Sequence, residues 1–236
     1  MIQDLPLYIP IVFGLTTILA LLMFFLAVRK SPAGDKTAMA ILVAAAAWLI
    51  VQAALTLNNF YSSDTTGLPP RFILLVVPPL LTILILFVTK KGRAFIDGLP
   101  QSTLTFIHVI RVPVELVLYW LFLHQAVPEL MTFAGRNFDI LAGITGPFVA
   151  YYGVKKQMLG RKTLIGWNLI ALALLFNIVI HAVLSAPFAF QVLAFDQPNV
   201  AVLYFPFSWL PGFVVPLVLF SHLVAIRQLT RSNTIK

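Results

Sequence analysis

The chain contains no cysteine and little charge. Of its 236 residues, 10% are Asp, Glu, Lys or Arg, and acidic residues number 8 against 16 basic ones. Without cysteine there is no disulfide framework, zinc–thiolate centre, iron–sulfur cluster or thiol nucleophile. With so few charges there is no soluble surface to build. An ordinary globular domain is about 25% charged and roughly 45–50% apolar, whereas 60% of this chain is apolar and its mean hydropathy is +0.97. A fold of this length has too little interior to hide that excess. Lipid must be the solvent for most of the chain, which excludes a soluble enzyme, a disordered tail and a nucleic-acid-binding domain. The sequence also lacks low-complexity tracts, an N-glycosylation sequon, a lipidation motif and a convincing internal repeat.

What is present is a series of long apolar runs. A helix needs about 20 apolar residues to cross a bilayer core of about 30 Å. Seven stretches qualify, approximately 5–28, 37–58, 71–89, 101–126, 138–154, 163–185 and 203–226, each bounded by charge, Pro or Gly. The runs are continuous rather than alternating, so they predict helices and not a barrel. The expected fold is an all-α integral membrane protein. It is a bundle of seven transmembrane helices forming one transmembrane domain over residues 1–236.

The basic residues predict its orientation. Three fall in the first turn (Arg29, Lys30, Lys36) and three in the third (Lys90, Lys91, Arg93). Four fall in the fifth (Lys155, Lys156, Arg161, Lys162) and three in the tail (Arg227, Arg231, Lys236). The alternate turns carry only Arg71 and Arg136. Basic loops stay in the cytoplasm, so the amino terminus is expected outside and the carboxyl terminus inside. The first run follows Asp4 without a preceding Lys or Arg and is longer than a signal-peptide core, so it reads as an uncleaved anchor. The apolar segment 186–202 is expected to fold back over the outer end of the bundle or to lie along the interface. Kinks are expected at Pro78-Pro79, Pro113, Pro147, Pro211 and Pro216.

Polar residues inside these runs mark the candidate site, because intramembrane charges are costly and commonly functional. His108, Arg111 and Glu115 are spaced i, i+3, i+7 and share one helical face. Arg111 and Glu115 are expected to pair along the helix, and His108 titrates near neutral pH. Asn177, His181 and Ser185 form a second stripe, and Gln52, Thr56 and Asn59 a third. Together they predict a polar, partly hydrated pocket opening outward. Arg111 would anchor an anionic group or compensate Glu115, Glu115 or His108 would accept a proton, and Asn177 and His181 would orient a ligand. The bland alternative is that Arg111 and Glu115 only fix helix rotation. His222 reads as a boundary residue near Arg227. Ala142, Gly143 and Gly146 read as a close packing face.

Familiar seven-span chemistries are missing. Residues 203–226 contain no Lys to hold retinal, no Gly-x-Ser motif of a rhomboid protease occurs, and neither a Walker sequence nor a Rossmann glycine fingerprint is present. The four histidines do not reproduce the patterns of ceramidase or adiponectin-receptor hydrolases. The expected function is binding or translocation of a small or lipophilic ligand, coupled to a proton, in a prokaryotic inner membrane. The expected partners are membrane lipid and that ligand; no cofactor and no nucleic acid is expected. A second reading is an intramembrane hydrolase or lipid-modifying enzyme, with His124, Asp139 and His181 as metal ligands. A third is a non-catalytic receptor or complex subunit.

Overall fold

The computed structural model describes residues 2 and 5–231; Asp4 and Lys236 lie outside the described residues. The described chain is helical, with no strand. Helix α1 spans Tyr8–Arg29 and α2 spans Gly34–Leu57. Helix α3 spans Ile73–Val88, and α4, Lys90–Asp97, turns away from it by 92°. Helix α5 spans Gln101–Ile107 and continues through a tightened turn, His108–Ile110, into α6, Arg111–Leu123. Helix α7 spans Ile140–Phe148 and widens into a π-wound turn, Val149–Lys155. Helix α8 spans Arg161–Leu184, and a π-wound turn, Leu210–Val214, leads into α9, Val215–Arg231.

Helix therefore occupies part of each of the seven predicted stretches, but not every piece is a full crossing. Five helices are long and apolar enough: Tyr8–Arg29, Gly34–Leu57, Gln101–Leu123, Arg161–Leu184 and Leu210–Arg231. The bent pair α3–α4 makes a sixth if it is one span. The remaining stretch holds 9 residues of α-helix followed by 7 of π-helix.

The burial pattern is inverted relative to a soluble protein. Leu15, Ile18, Val43, Ile50, Leu84, Ile85 and Ile170 are exposed, whereas Thr17, His108, Arg111, Glu115, Asn137, Asn168 and His222 are buried. That distribution is expected of helices whose outer faces meet lipid and whose polar groups need protein partners. Helix α2 is the most exposed of the long helices, with 17% of its apolar window buried. Two indoles hold it: Trp48 Nε1 donates to Gly212 O at 2.9 Å, and Trp209 Nε1 donates to Leu49 O at 3.0 Å.

The basic turns share one end of the bundle. Arg227 donates to both Asp97 oxygens at 2.7 and 3.0 Å, Arg231 pairs with the same carboxylate, and Arg161 Nη2 donates to Thr230 O at 3.0 Å. Gln228 Nε2 donates to Ile96 O and to Leu99 O, each at 2.9 Å. The opposite end is closed by residues 186–202, which fold back as expected. Val200 N and Ala201 N donate to Ala126 O at 3.1 and 3.0 Å, and Gln197 Nε2 donates to Val127 O at 2.7 Å.

Proline acts where it removes a backbone donor. The winding changes beside Pro113, Pro147 and Pro211. Helix α3, by contrast, runs on through Pro78-Pro79 and breaks later, at Thr89. There the Thr89 hydroxyl accepts from Gly92 N at 3.1 Å, capping α4. Gly92 permits the corner, since a Cβ at this position would lie 2.6 Å from Leu86 Cα.

Candidate functional site

The site begins with close packing of α7 on the α5–α6 span. Ala142, Gly143 and Gly146 are buried there, as the small-residue face predicts. A Cβ on Gly143 would meet Val112 N at 2.9 Å and Arg111 Cβ at 3.1 Å; one on Gly146 would meet His108 Cβ at 3.0 Å. This proximity sets Asp139, just before α7, beside Arg111.

Arg111 pairs with Asp139 and not, as expected, with Glu115. Its Nε donates to Asp139 Oδ2 at 2.6 Å and its Nη2 donates to Asp139 Oδ1. A planar guanidinium matches a carboxylate presented from a neighbouring segment as a fork. Nη2 also donates to Ala171 O of α8 at 3.0 Å, and Nη1 lies 3.1 Å from Nε2 of His222 in α9. One side chain thus joins α6, α7, α8 and α9.

The arginine also fixes the tautomer beyond it. Guanidinium has no acceptor, so His222 Nε2 accepts and Nδ1 carries the hydrogen. Nδ1 donates to Asn168 Oδ1 at 2.9 Å, and Asn168 Nδ2 donates to Leu164 O at 2.9 Å. The His222 ring stacks on His108 with centroids 3.9 Å apart and planes 18° apart, and Trp167 flanks both rings. His108 is fully buried, and among the described residues neither ring nitrogen has a hydrogen-bond partner. His222 is therefore an interior residue and not a boundary one. The last helix continues to Arg231, beyond the predicted limit of 226, which draws His222 deeper into the bundle.

Glu115 belongs to the other side of this network. Asn137 Nδ2 donates to both Glu115 oxygens at 2.7 Å and to Met131 O at 3.0 Å. Asn137 Oδ1 accepts from Asp139 N at 3.0 Å. Asn137 so ties the two carboxylate positions together. The buried cluster holds two carboxyl groups and one guanidinium, with His222 in a neutral tautomer.

Glu115 and Asp139 border a cavity of about 270 Å³. It lies among α3, α6, α8, the start of α9 and the folded-back segment, and its walls include Phe72, Leu118, Phe176, Val179, Phe188 and Leu219. Among the described residues, its only polar lining residues are Glu115, Asp139 and Asn199. The expected pocket was polar; the observed one is apolar with an acidic patch. His108 and Arg111 do not line it, because they lie behind Asp139.

The other predicted residues lie elsewhere. Asn177 Nδ2 donates to Arg136 O at 2.8 Å, and His181 Nδ1 donates to Asn177 O at 2.8 Å; neither lines the cavity. Gln52 sits in a separate polar cluster. Its Oε1 accepts from Tyr61 at 2.5 Å, and its backbone oxygen accepts from Thr56, which also bonds Ser208 at 3.0 Å. Burial pushes the Tyr61 hydroxyl up to about 12, against the opposing effect of Gln52, so it serves as a permanent donor. His124 is exposed at the end of α6. The suggested metal set is not assembled: Asp139 is engaged by Arg111, and among the described residues no group of three His, Asp or Glu side chains is placed to hold a metal ion.

Asn168 was not anticipated; the sequence places Asn137 at the opening of the fifth stretch and Asn199 in a turn near an outer entrance, both without their contacts. Asn168 is a single amide in an apolar run, the signal that was available for it. Asn137 was visible as a polar residue opening the fifth stretch, but its contact with Glu115 depends on how α7 enters the bundle.

Comparison with known proteins finds no match among curated proteins or solved structures. A family model described as a domain of unknown function, DUF8737, matches residues 68–230, which is more than half of the chain. The matched region contains every member of the Arg111 network and every polar residue of the cavity wall, while Gln52 lies before it. The chain belongs to the DUF8737 family.

Proposed function

We propose that this is a seven-span protein of a prokaryotic inner membrane that binds or translocates a small lipophilic ligand through the cavity beside Glu115 and Asp139. The amino terminus lies outside and the basic end faces the cytoplasm. Support for the topology comes from the clustering of Asp97, Arg161, Arg227 and Arg231 at one end, together with the tendency of basic loops to remain cytoplasmic.

The cavity carries the functional reading. At about 270 Å³ it is near the lower edge of ligand sites, roughly 300–1,000 Å³. An apolar chamber with a few convergent polar groups is the usual form of a small-molecule site. Glu115 is the proton acceptor in this scheme. The groups facing it or its neighbour are Asn137, Asp139 and Arg111, with His222 and His108 behind. The second carboxyl has no cation of its own in this cluster, so a proton or a ligand must balance it.

Val179 lines the chamber, and Val179→Trp would fill it. Decanol should raise the unfolding temperature of the purified protein, as a ligand specific for the folded state must. Val179→Trp should remove that shift while keeping a cooperative transition. An equal shift in the filled variant would assign decanol to the detergent or outer surface and overturn the reading.

A further inference from the structure

With Glu115 and Asp139 ionised, the cavity wall offers hydrogen-bond acceptors and, among the described residues, no free donor. Asn199 is buried, and its Nδ2 donates to Ala182 O at 3.1 Å, which fixes the amide orientation. Its Oδ1 has no partner and is buried, and the residue borders the same cavity as Glu115 and Asp139. An unsatisfied buried acceptor costs about 1–3 kcal/mol, so this atom, covered but carried by a residue of the chamber wall, is a place for a donor to arrive. Glu115 meets one protein donor group, the Asn137 amide, leaving capacity on a carboxylate that can accept about four hydrogen bonds. Arg111 could have supplied a donor to an anion, but all three of its nitrogens are engaged and it does not line the chamber. The two carboxyls outnumber the one guanidinium.

We infer that the ligand is a lipophilic amine, bound as its ammonium form: the alkyl part lies against Leu118, Val179 and Leu219, and the nitrogen donates toward Glu115 and the free Asn199 oxygen. This reverses the anion expected from Arg111, and it rests on the cavity reading above. An alkylamine is protonated at neutral pH, as a lysine side chain is with its pKa near 10.4. Its three donors suit a wall made of acceptors, and its charge balances the second carboxylate. A fatty acid would bring a third carboxylate to a wall without a free donor.

The test compares decylamine, decanol and decanoate on the purified protein in a neutral detergent, by isothermal titration and thermal shift. Decylamine should bind about tenfold more tightly than decanol, the value of one charge-assisted hydrogen bond, and decanoate most weakly. Glu115→Gln should bring the amine-to-alcohol ratio toward one, and Asn199→Leu should lower it by a smaller factor. Equal binding of all three compounds, a preference for decanoate, or an unchanged ratio in both variants overturns the amine assignment while leaving the cavity reading intact. Failure of all three compounds to bind wild-type protein overturns both.

Discussion

Arg111 shows why an intramembrane charge is tolerated only with its surroundings in place. Its partners come from three other helices, and each engages a different edge of the guanidinium. Removing one member of a buried pair leaves the other uncompensated, at a cost of about 3–5 kcal/mol, whereas replacing both with apolar groups is often neutral. Asp139→Ala should therefore lower the unfolding midpoint sharply in detergent, and Arg111→Met combined with Asp139→Leu should recover much of the loss. Should the double variant be as unstable as the single one, the pair stabilises the bundle directly. Asn168→Ala should cost about 1–3 kcal/mol, since it leaves the His222 Nδ1 hydrogen without its acceptor; equilibrium unfolding measures this. The sequence named Arg111, Glu115, His108 and Asp139 as polar groups in apolar runs, because insertion cost alone singles them out. It misassigned their partners, because helical spacing reports neighbours along one helix and the bidentate contact forms between two.

Helix existence was legible from apolar length, and helix shape was not. The runs around α1, α2, α8 and α9 could only be helices in lipid. The corner at Thr89 depends on one hydroxyl cap and on Gly92 clearing Leu86, which a prolyl pair eleven residues upstream concealed. Glycine decides another element-scale feature, the approach of α7. Gly143→Ala should destabilise by about 1–3 kcal/mol, because the new methyl meets the backbone of Val112; a thermal melt of the variant tests it, and an unchanged melt would show that α7 can shift outward freely. Helix α4 is tied to α9 through Asp97. Its carboxyl is held below the ordinary 3.8, first by the hydrogen bond from Arg227 and further by the charges of Arg227, Arg231 and Arg93, against burial. A depressed carboxylate contributes stability that is fully present above its unfolded value and is lost as pH falls through its folded value. Wild type should accordingly lose more stability than Asp97→Asn from about pH 5 downward, as read by unfolding temperature across the acid range.

At the scale of the whole molecule, the absence of cysteine turns orientation into a clean measurement. Thr66 and Met158 are exposed at opposite ends of the bundle, and a single cysteine at either has no background to compete with. In intact cells an impermeant maleimide should label Thr66→Cys, and it should reach Met158→Cys only after lysis. The reverse pattern would invert the proposed topology. The distribution of Lys and Arg is what this side assignment rests on. The acidic chamber was not readable, because it is assembled from residues that no periodicity connects: Glu115, Asp139 and Asn199 come from a helix, the residue ahead of another and a folded-back strap.

The direction of synthesis gives the Arg111 network a history. Ribosomes deliver the chain from its amino terminus, so Arg111 emerges before Asp139, Ala171 and His222, each supplied by a later segment. For an interval the nascent protein must shelter a cation whose permanent companions do not yet exist, at the translocon or near a headgroup. The last of them arrives with α9, and a ribosome stalled before residue 222 would hold a bundle still missing its final latch.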